Sequence, residues 1–159
     1  MPVASVAADT REGESDSFGF TEPYVLYGED NSTDSVFFER AFRGYKPDYP
    51  LVHRANGKLI RDFLEDREQK EERLPSLVVL DIKMPGLTGL EILEYIRKRP
   101  ALSRLPVVIL SASSENRDIK TAYKHRVNAY LTKPSRYGEL KDLVGTLATF
   151  WINYNHPPL

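Results

Sequence analysis

The chain of 159 residues contains no cysteine, which removes disulfides, thiolate nucleophiles and cysteine-built zinc sites and fits a reducing cytoplasm. Net charge is nearly absent as well: 22 basic side chains face 23 acidic ones, a formal balance of −1. No basic stripe of the kind that phosphate backbones require is present, so no nucleic-acid partner is expected. Long apolar runs are missing, and Met1 to Ala8 supplies a few small apolar residues without a basic leader or a long hydrophobic region. Neither a signal peptide nor a membrane span is expected, and the simplest reading is a soluble cytoplasmic protein. The few histidines, His53, His125 and His156, lie at no metal-ligand spacing and are expected to be structural or solvent-exposed. No glycine-rich phosphate loop follows the first apolar strand, which argues against a nucleotide-binding module.

What is present centres on one carboxylate. Leu77-Val78-Val79-Leu80 is an unbroken apolar run, Asp81 closes it, and Ile82-Lys83-Met84-Pro85-Gly86 follows at once. So short a run reads as a parallel strand covered on both faces, and the Pro-Gly pair forces a loop. Asp81 therefore stands where chemistry collects in open doubly wound sheets, although alone it could be a cap or turn residue. Three more strand ends carry polar groups. Glu29-Asp30-Asn31 follows Tyr24-Val25-Leu26-Tyr27, Ser111-Ala112-Ser113 follows Val107-Val108-Ile109-Leu110, and Lys133-Pro134 follows Ala129-Tyr130-Leu131-Thr132. In a parallel sheet these ends point the same way, so carboxylates, a hydroxyl and an ammonium converge. Clustered carboxylates repel unless a cation sits among them, and hard oxygen ligands with room for water favour Mg²⁺.

The remaining chain alternates helix and strand. Ser32 to Ser35 offers caps for a first helix whose apolar stripe is Val36, Phe37, Ala41 and Phe42, with Gly44 as its terminator. Leu51-Val52-His53 makes a second strand, Ala55-Asn56-Gly57 a turn, and Leu59, Ile60, Phe63 and Leu64 mark a second helix. The charged run Glu65 to Arg73 reads as its solvated extension, with pairs Asp66 to Lys70 and Arg67 to Glu71. Gly89 to Ile96 forms the third helix, Glu115 to His125 the fourth, and Tyr137 to about Tyr154 the fifth, along which Leu140, Leu143, Val144, Leu147 and Trp151 recur at helical spacing. Residues 1–21, rich in Ser, Asp, Glu and Gly, read as a flexible arm, either without a role or a docking segment.

An acidic pair, an Asp followed by x-x-Met-Pro-Gly, a Ser-Ala and a Lys-Pro, each closing a predicted strand, together resemble the CheY-like receiver domain of two-component response regulators. The resemblance spans about Glu22 to Tyr154. The stretch His125 to Pro134, with Phe150-Trp151, is further similar to stand-alone receivers that partner phytochrome-type histidine kinases. Alternation and resemblance together imply an α/β fold, a three-layer doubly wound (βα)5 flavodoxin-like arrangement with parallel sheet order 2-1-3-4-5. The domain expectation is an arm over 1–21, a receiver over 22–154, a short tail over 155–159 and no attached output domain.

The resemblance implies roles residue by residue. Asp81 is the phosphoacceptor, and Asp30 and Asp81 ligate Mg²⁺ together with the backbone carbonyl of Lys83, Glu29 acting through water. Lys133 meets a phosphoryl oxygen, and the Lys133-Pro134 bond is a candidate cis peptide. Ser111 donates its hydroxyl to the arriving group and Tyr130 is the switch aromatic, though a strand tyrosine can also be plain packing. Such a protein is a phosphoacceptor rather than an enzyme acting on a separate substrate, catalysing only its own phosphorylation and dephosphorylation. The donor is a histidine kinase, and output passes through the surface of the fourth helix, fifth strand and fifth helix. Phe150 and Tyr154 are candidates there for a homodimer contact, while Trp151 fits the core. Lys83 and Ser113, two residues beyond Asp81 and Ser111, flank the water path to the phosphoryl group, and Lys83 is expected to lengthen the phosphorylated lifetime. One rival is a haloacid-dehalogenase phosphatase, but its second Asp is replaced by Lys83. Another is a degenerate receiver that binds without phosphorylation, yet this chain keeps the acceptor, the acids and the lysine.

Overall fold

The computed structural model describes residues 21–158. The expected arm, residues 1–21, lies almost wholly outside them. Five parallel strands, β1 (Val25–Gly28), β2 (Leu51–Arg54), β3 (Leu77–Leu80), β4 (Val107–Ser111) and β5 (Ala129–Thr132), form one sheet in the order β2-β1-β3-β4-β5. Helices α1 (Ser32–Tyr45), α2 (Gly57–Gln69), α3 (Gly89–Lys98), α4 (Asn116–Lys124) and α5 (Tyr137–Ala148) connect them, and a π-helical turn, Thr149–Tyr154, follows α5.

Alternation along the buried strands divides the core between two faces. Leu26, Val78, Leu80 and Ile109 meet Ile60, Phe63, Ile92 and Ile96 of α2 and α3. Val25, Tyr27, Val79, Val108 and Leu110 meet Phe38, Phe42, Val144 and Leu147 of α1 and α5. Each such aliphatic side chain contributes about 1.5–3 kcal/mol on burial, so the sheet is held from both sides. Pairing places Gly28 beside Arg54 and Leu80, and Ser111 beside Thr132. The residues that follow those strands, Glu29, Asp81, Ala112 and Lys133, are thereby delivered to one end of the sheet.

Local sequence explains the helix starts. The Asn31 side chain accepts from Asp34 N–H, Asn56 accepts from Leu59 N–H, and Thr88 closes a capping box with Glu91. The stripe on α1 lies one step from its expected phase. Phe38 is buried with Ala41 and Phe42, whereas Val36 is 51% exposed, because three consecutive apolar residues leave the phase open until the sheet is in place.

The expected extension of α2 to Arg73 does not form: the helix ends at Gln69, and Glu71 takes φ 52. Asp66 and Lys70 do pair, at 3.0 Å. Arg67 does not pair with Glu71; it is fully buried, lies 5.0 Å from the Phe63 ring centroid, and binds Glu72, whose N–H folds back to Arg67 O. A buried guanidinium needs a partner brought to it, and the turn at Glu71 brings it. The fifth helix also departs from expectation. Its last turn widens to π pitch, with Asn155 N–H donating to Phe150 O at 2.8 Å, leaving Phe150 and Tyr154 53% and 72% exposed and Trp151 packed against the α1/α5 side of the core.

Candidate functional site

Three carboxylates from two strand ends, Glu29 and Asp30 after β1 and Asp81 after β3, lie with one oxygen of each within 4.8 Å of the others. Glu29 and Asp81 are buried, and Asp30 is exposed. Their geometry is fixed by the backbone. Ile82 N–H donates to Asp81 Oδ1 at 2.7 Å, and Asn31 N–H donates to Glu29 Oε1 at 3.1 Å. Gly89, the first residue of α3, donates to Ile82 O at 2.9 Å and approaches so closely that a Cβ there would lie 2.1 Å from Asp81 O.

Lys133 enters from β5. Its N–H donates to Ser111 O at 2.7 Å, and its Nζ reaches Glu29 Oε2 at 2.7 Å, Asp34 Oδ2 at 2.9 Å and Asp81 Oδ2 at 3.1 Å. No cis peptide bond occurs among the described residues, which corrects the expectation for Lys133-Pro134. The lysine needs none to point inward, since β5 pairing and the Ser111 contact already aim it. Burial alone would lower the Lys133 pKa, but its bonds to Glu29 and Asp34 outweigh that and raise it, so the ammonium stays charged. Burial, reinforced by the Asp81 charge, pushes the Glu29 carboxyl up to about 7 despite Lys133.

Ser111 is buried at the end of β4 and its Oγ accepts Ser113 N–H at 3.3 Å. Tyr130 is half-buried against the α2/α3 side of the core and donates its hydroxyl to Ser113 O at 2.7 Å. Ser113 in turn donates to Asp118 Oδ2 at 2.6 Å, tying the loop to the first turn of α4. Lys83 is exposed on the loop after Asp81.

Two participants were not anticipated from sequence. Asp34 looks like an ordinary acidic residue in a first helical turn, and nothing in its spacing points to Lys133. His53, expected to be merely structural, is buried beneath the site and donates from Nε2 to Glu29 O at 2.7 Å. His125 and His156 do lie elsewhere, at the end of α4 and in the exposed tail.

The donor set fits a hard divalent cation. Glu29, Asp30 and Asp81 offer oxygen donors only, Lys133 is bonded by Glu29, Asp34 and Asp81, and the exposed side at Asp30 leaves room for water. A metal would offset the burial, and the lesser repulsion from Asp81, that raise Glu29.

A family model described as "Response regulator receiver domain" matches residues 38–145. A probable methanogenesis regulatory protein, FilR2, of Methanothrix harundinacea is 32% identical over 86% of this chain and 89% of its own length. Response regulator Rcp1 of Synechocystis is 31% identical over 80% of this chain and 88% of its own. Its Mn²⁺-bound crystal structure superposes with a TM-score of 0.77, covering 87% of this chain and 100% of that one at 28% identity. The phosphorylated cyanobacterial phytochrome response regulator RcpA gives 0.79 at 28% identity, covering 87% and 100%.

Proposed function

This chain belongs to the response regulator receiver family, and from that premise we propose that Asp81 accepts a phosphoryl group from a histidine kinase with the help of Mg²⁺. The observation that carries the reading is the convergence of Lys133 Nζ on Glu29, Asp34 and Asp81 at 2.7, 2.9 and 3.1 Å. An ammonium and a buried carboxylate fixed side by side are what an in-line transfer between oxygen or nitrogen and oxygen requires.

In the proposed step an Asp81 carboxylate oxygen attacks phosphorus. A phosphorus–oxygen bond to Asp81 forms as the phosphorus–nitrogen bond of the donor phosphohistidine breaks, and the electron pair leaves with the imidazole. Ile82 N–H holds one Asp81 oxygen, which orients the carboxylate before the donor arrives. Lys133 is the cation that takes up charge on a phosphoryl oxygen, and the Ser111 hydroxyl is the neutral donor to another. Asp30, Asp81 and the Lys83 carbonyl, with Glu29 through water, would hold a divalent cation, which would supply the remaining charge neutralisation. Ser111 gives up the Ser113 N–H when it turns to the phosphoryl group, and Tyr130, bonded to Ser113 O, follows that loop, so the α4-β5-α5 face carries the signal.

Residues 22–154 are assigned to the receiver unit. Similarity to the phytochrome response regulator RcpA supports a phytochrome-type kinase as donor. Exposed Phe150 and Tyr154 at the end of α5 support a homodimer contact there. The test is intact mass after incubation with acetyl phosphate and Mg²⁺. The expected result is a gain of one phosphoryl group, absent in Asp81→Asn and without metal; no gain, or a gain retained by the variant, overturns the assignment.

A further inference from the structure

Resting on that reading, we infer that Asp34 is a positioning residue that holds the place of a phosphoryl oxygen on Lys133 and thereby restrains the rate of phosphoryl uptake. Asp34 is the third residue of α1, whose cap is Asn31. A carboxylate at this position ordinarily folds back onto the N–H of the cap residue, as Glu91 does onto Thr88 at 3.1 Å in α3. In α1 that option is taken: Asn31 N–H is bonded by Glu29 Oε1 at 3.1 Å. Asp34, whose own N–H is held by Asn31 Oδ1 at 3.0 Å, therefore sends its carboxylate across the site to Lys133 at 2.9 Å.

An ammonium has three hydrogens, and here Glu29, Asp34 and Asp81 take one each. A phosphoryl oxygen can bond to Lys133 only if one acceptor leaves. Glu29 is the costly one to release, with a side chain 1% exposed and the shortest contact, 2.7 Å. Asp81 is 10% exposed and is itself the group being modified. Asp34 is 37% exposed, so water can solvate its carboxylate as it lets go. Its negative charge at the entrance also opposes an approaching phosphate anion. The ammonium is thus kept in place by a partner that is readily exchanged, and uptake includes breaking that contact.

The experiment compares wild type, Asp34→Asn and Asp34→Glu for the rate of phosphorylation by acetyl phosphate at saturating Mg²⁺, in which the acetyl–oxygen to phosphorus bond breaks as the Asp81 bond forms and acetate leaves. Asp34→Asn is expected to phosphorylate about 3- to 10-fold faster, the range that one solvent-exposed, charge-assisted hydrogen bond is worth, and Asp34→Glu is expected to return towards the wild-type rate. An unchanged or slower rate in Asp34→Asn overturns the inference, even if stability falls, since loss of a purely structural contact would alter the urea midpoint and not the rate. A second measurement needs no phosphoryl transfer. Nitrogen-15 NMR of the Lys133 ammonium in the unphosphorylated protein should show faster hydrogen exchange in Asp34→Asn, and an unchanged signal refutes the contact. A wild-type chain that accepts no phosphoryl group would bring down the proposed phosphoacceptor role of Asp81, while the ammonium spectrum would still decide the Asp34 contact.

Discussion

The glycine at the start of α3 ties the stability of the fold to the position of Asp81 in a way that can be measured. A Cβ built at Gly89 would lie 2.1 Å from Asp81 O and 2.8 Å from its carbonyl carbon, against an ordinary contact distance of 3.4–4 Å. The obstruction is backbone, so it cannot rotate aside: either α3 retreats by more than ~1 Å or the Asp81–Ile82 peptide does. Overpacking of this kind costs about 1–3 kcal/mol. The Gly89 N–H bond to Ile82 O, 2.9 Å, would stretch with it. Gly44, near the end of α1, meets nothing within 4 Å, and there Gly89's problem is reversed. Gly44→Ala restricts the unfolded chain without a clash and should add about 0.4–1 kcal/mol. Urea unfolding should therefore separate Gly89→Ala from Gly44→Ala by about 1.4–4 kcal/mol, the sum of the two effects. Phosphorylation by acetyl phosphate separates them again. A shift of about 1 Å at a reacting group can cost on the order of 100-fold in rate, so Gly89→Ala should slow sharply while Gly44→Ala keeps the parent rate. Parent-like stability and rate in Gly89→Ala would refute the claim that α3 is wedged against the Asp81 loop.

Two further outcomes are expected. Burial raises the pKa of Tyr24, Tyr27 and Tyr49, so all three stay neutral in the folded state at pH values where the unfolded chain, near 10, begins to ionise. Their contribution is complete below pH 10 and is lost as pH rises beyond it, and the raised pKa of Lys133 adds a loss of the same sign above 10.5. Urea midpoints at successive pH values should fall through this window, and a flat profile would sink the idea. Lys83 is exposed two residues beyond Asp81, where the family resemblance would have its cation flank the route of hydrolytic water. Lys83→Ala should lose its phosphoryl group about threefold faster than the parent, the effect expected of one exposed charge, and equal lifetimes by intact-mass decay would remove Lys83 from the account.

Strand ends were legible because buried parallel strands are written as short apolar runs, and a run of that kind says where its loop begins; the strand order followed from the helix–strand alternation together with the family resemblance. Val107 to Leu110 and Leu77 to Leu80 needed no tertiary information, and the places of Ser111 and Asp81 followed from them, as those of Glu29 and Lys133 did from Tyr24 to Tyr27 and Ala129 to Thr132. What stayed hidden depends on facts that arise only once the chain is packed. Val36-Phe37-Phe38 admits two helix phases, and the sheet selects Phe38. Arg67 sits in a run of charges that looks solvated at every position, and only the Phe63 ring and the Glu72 turn reveal a buried guanidinium. His53 has no ligand spacing because its task is to donate to Glu29 O across two strands, a contact made by β1–β2 register. Asp34 obeys the rule for an acidic first turn so well that its sequence position suggests nothing else.

The reason Asp34 escaped the sequence bears on how the site is built. Strong local rules were satisfied around Asp34 and Glu29, but with exchanged partners: Glu29 bonds Asn31 N–H, the place Asp34 would ordinarily fill, and Asp34 bonds Lys133. The exchange has a consequence that neither contact has alone. It commits the buried Glu29 carboxyl to both the α1 cap and the Lys133 ammonium, so the group whose pKa burial raises to about 7 is held by backbone on one side and by the lysine on the other. Under the proposed phosphoacceptor role, movement of Lys133 toward a phosphoryl oxygen would strain or release the start of α1, which packs through Phe38 and Phe42 on the same core as α5. Under that proposal, coupling from the site to the α5 side of the molecule would have a physical route through α1, in addition to the Ser111, Ser113 and Tyr130 contacts near α4. The two routes differ in what would break them: loss of the Asn31 cap acts on the first, and loss of the Ser113 contact to Asp118 acts on the second.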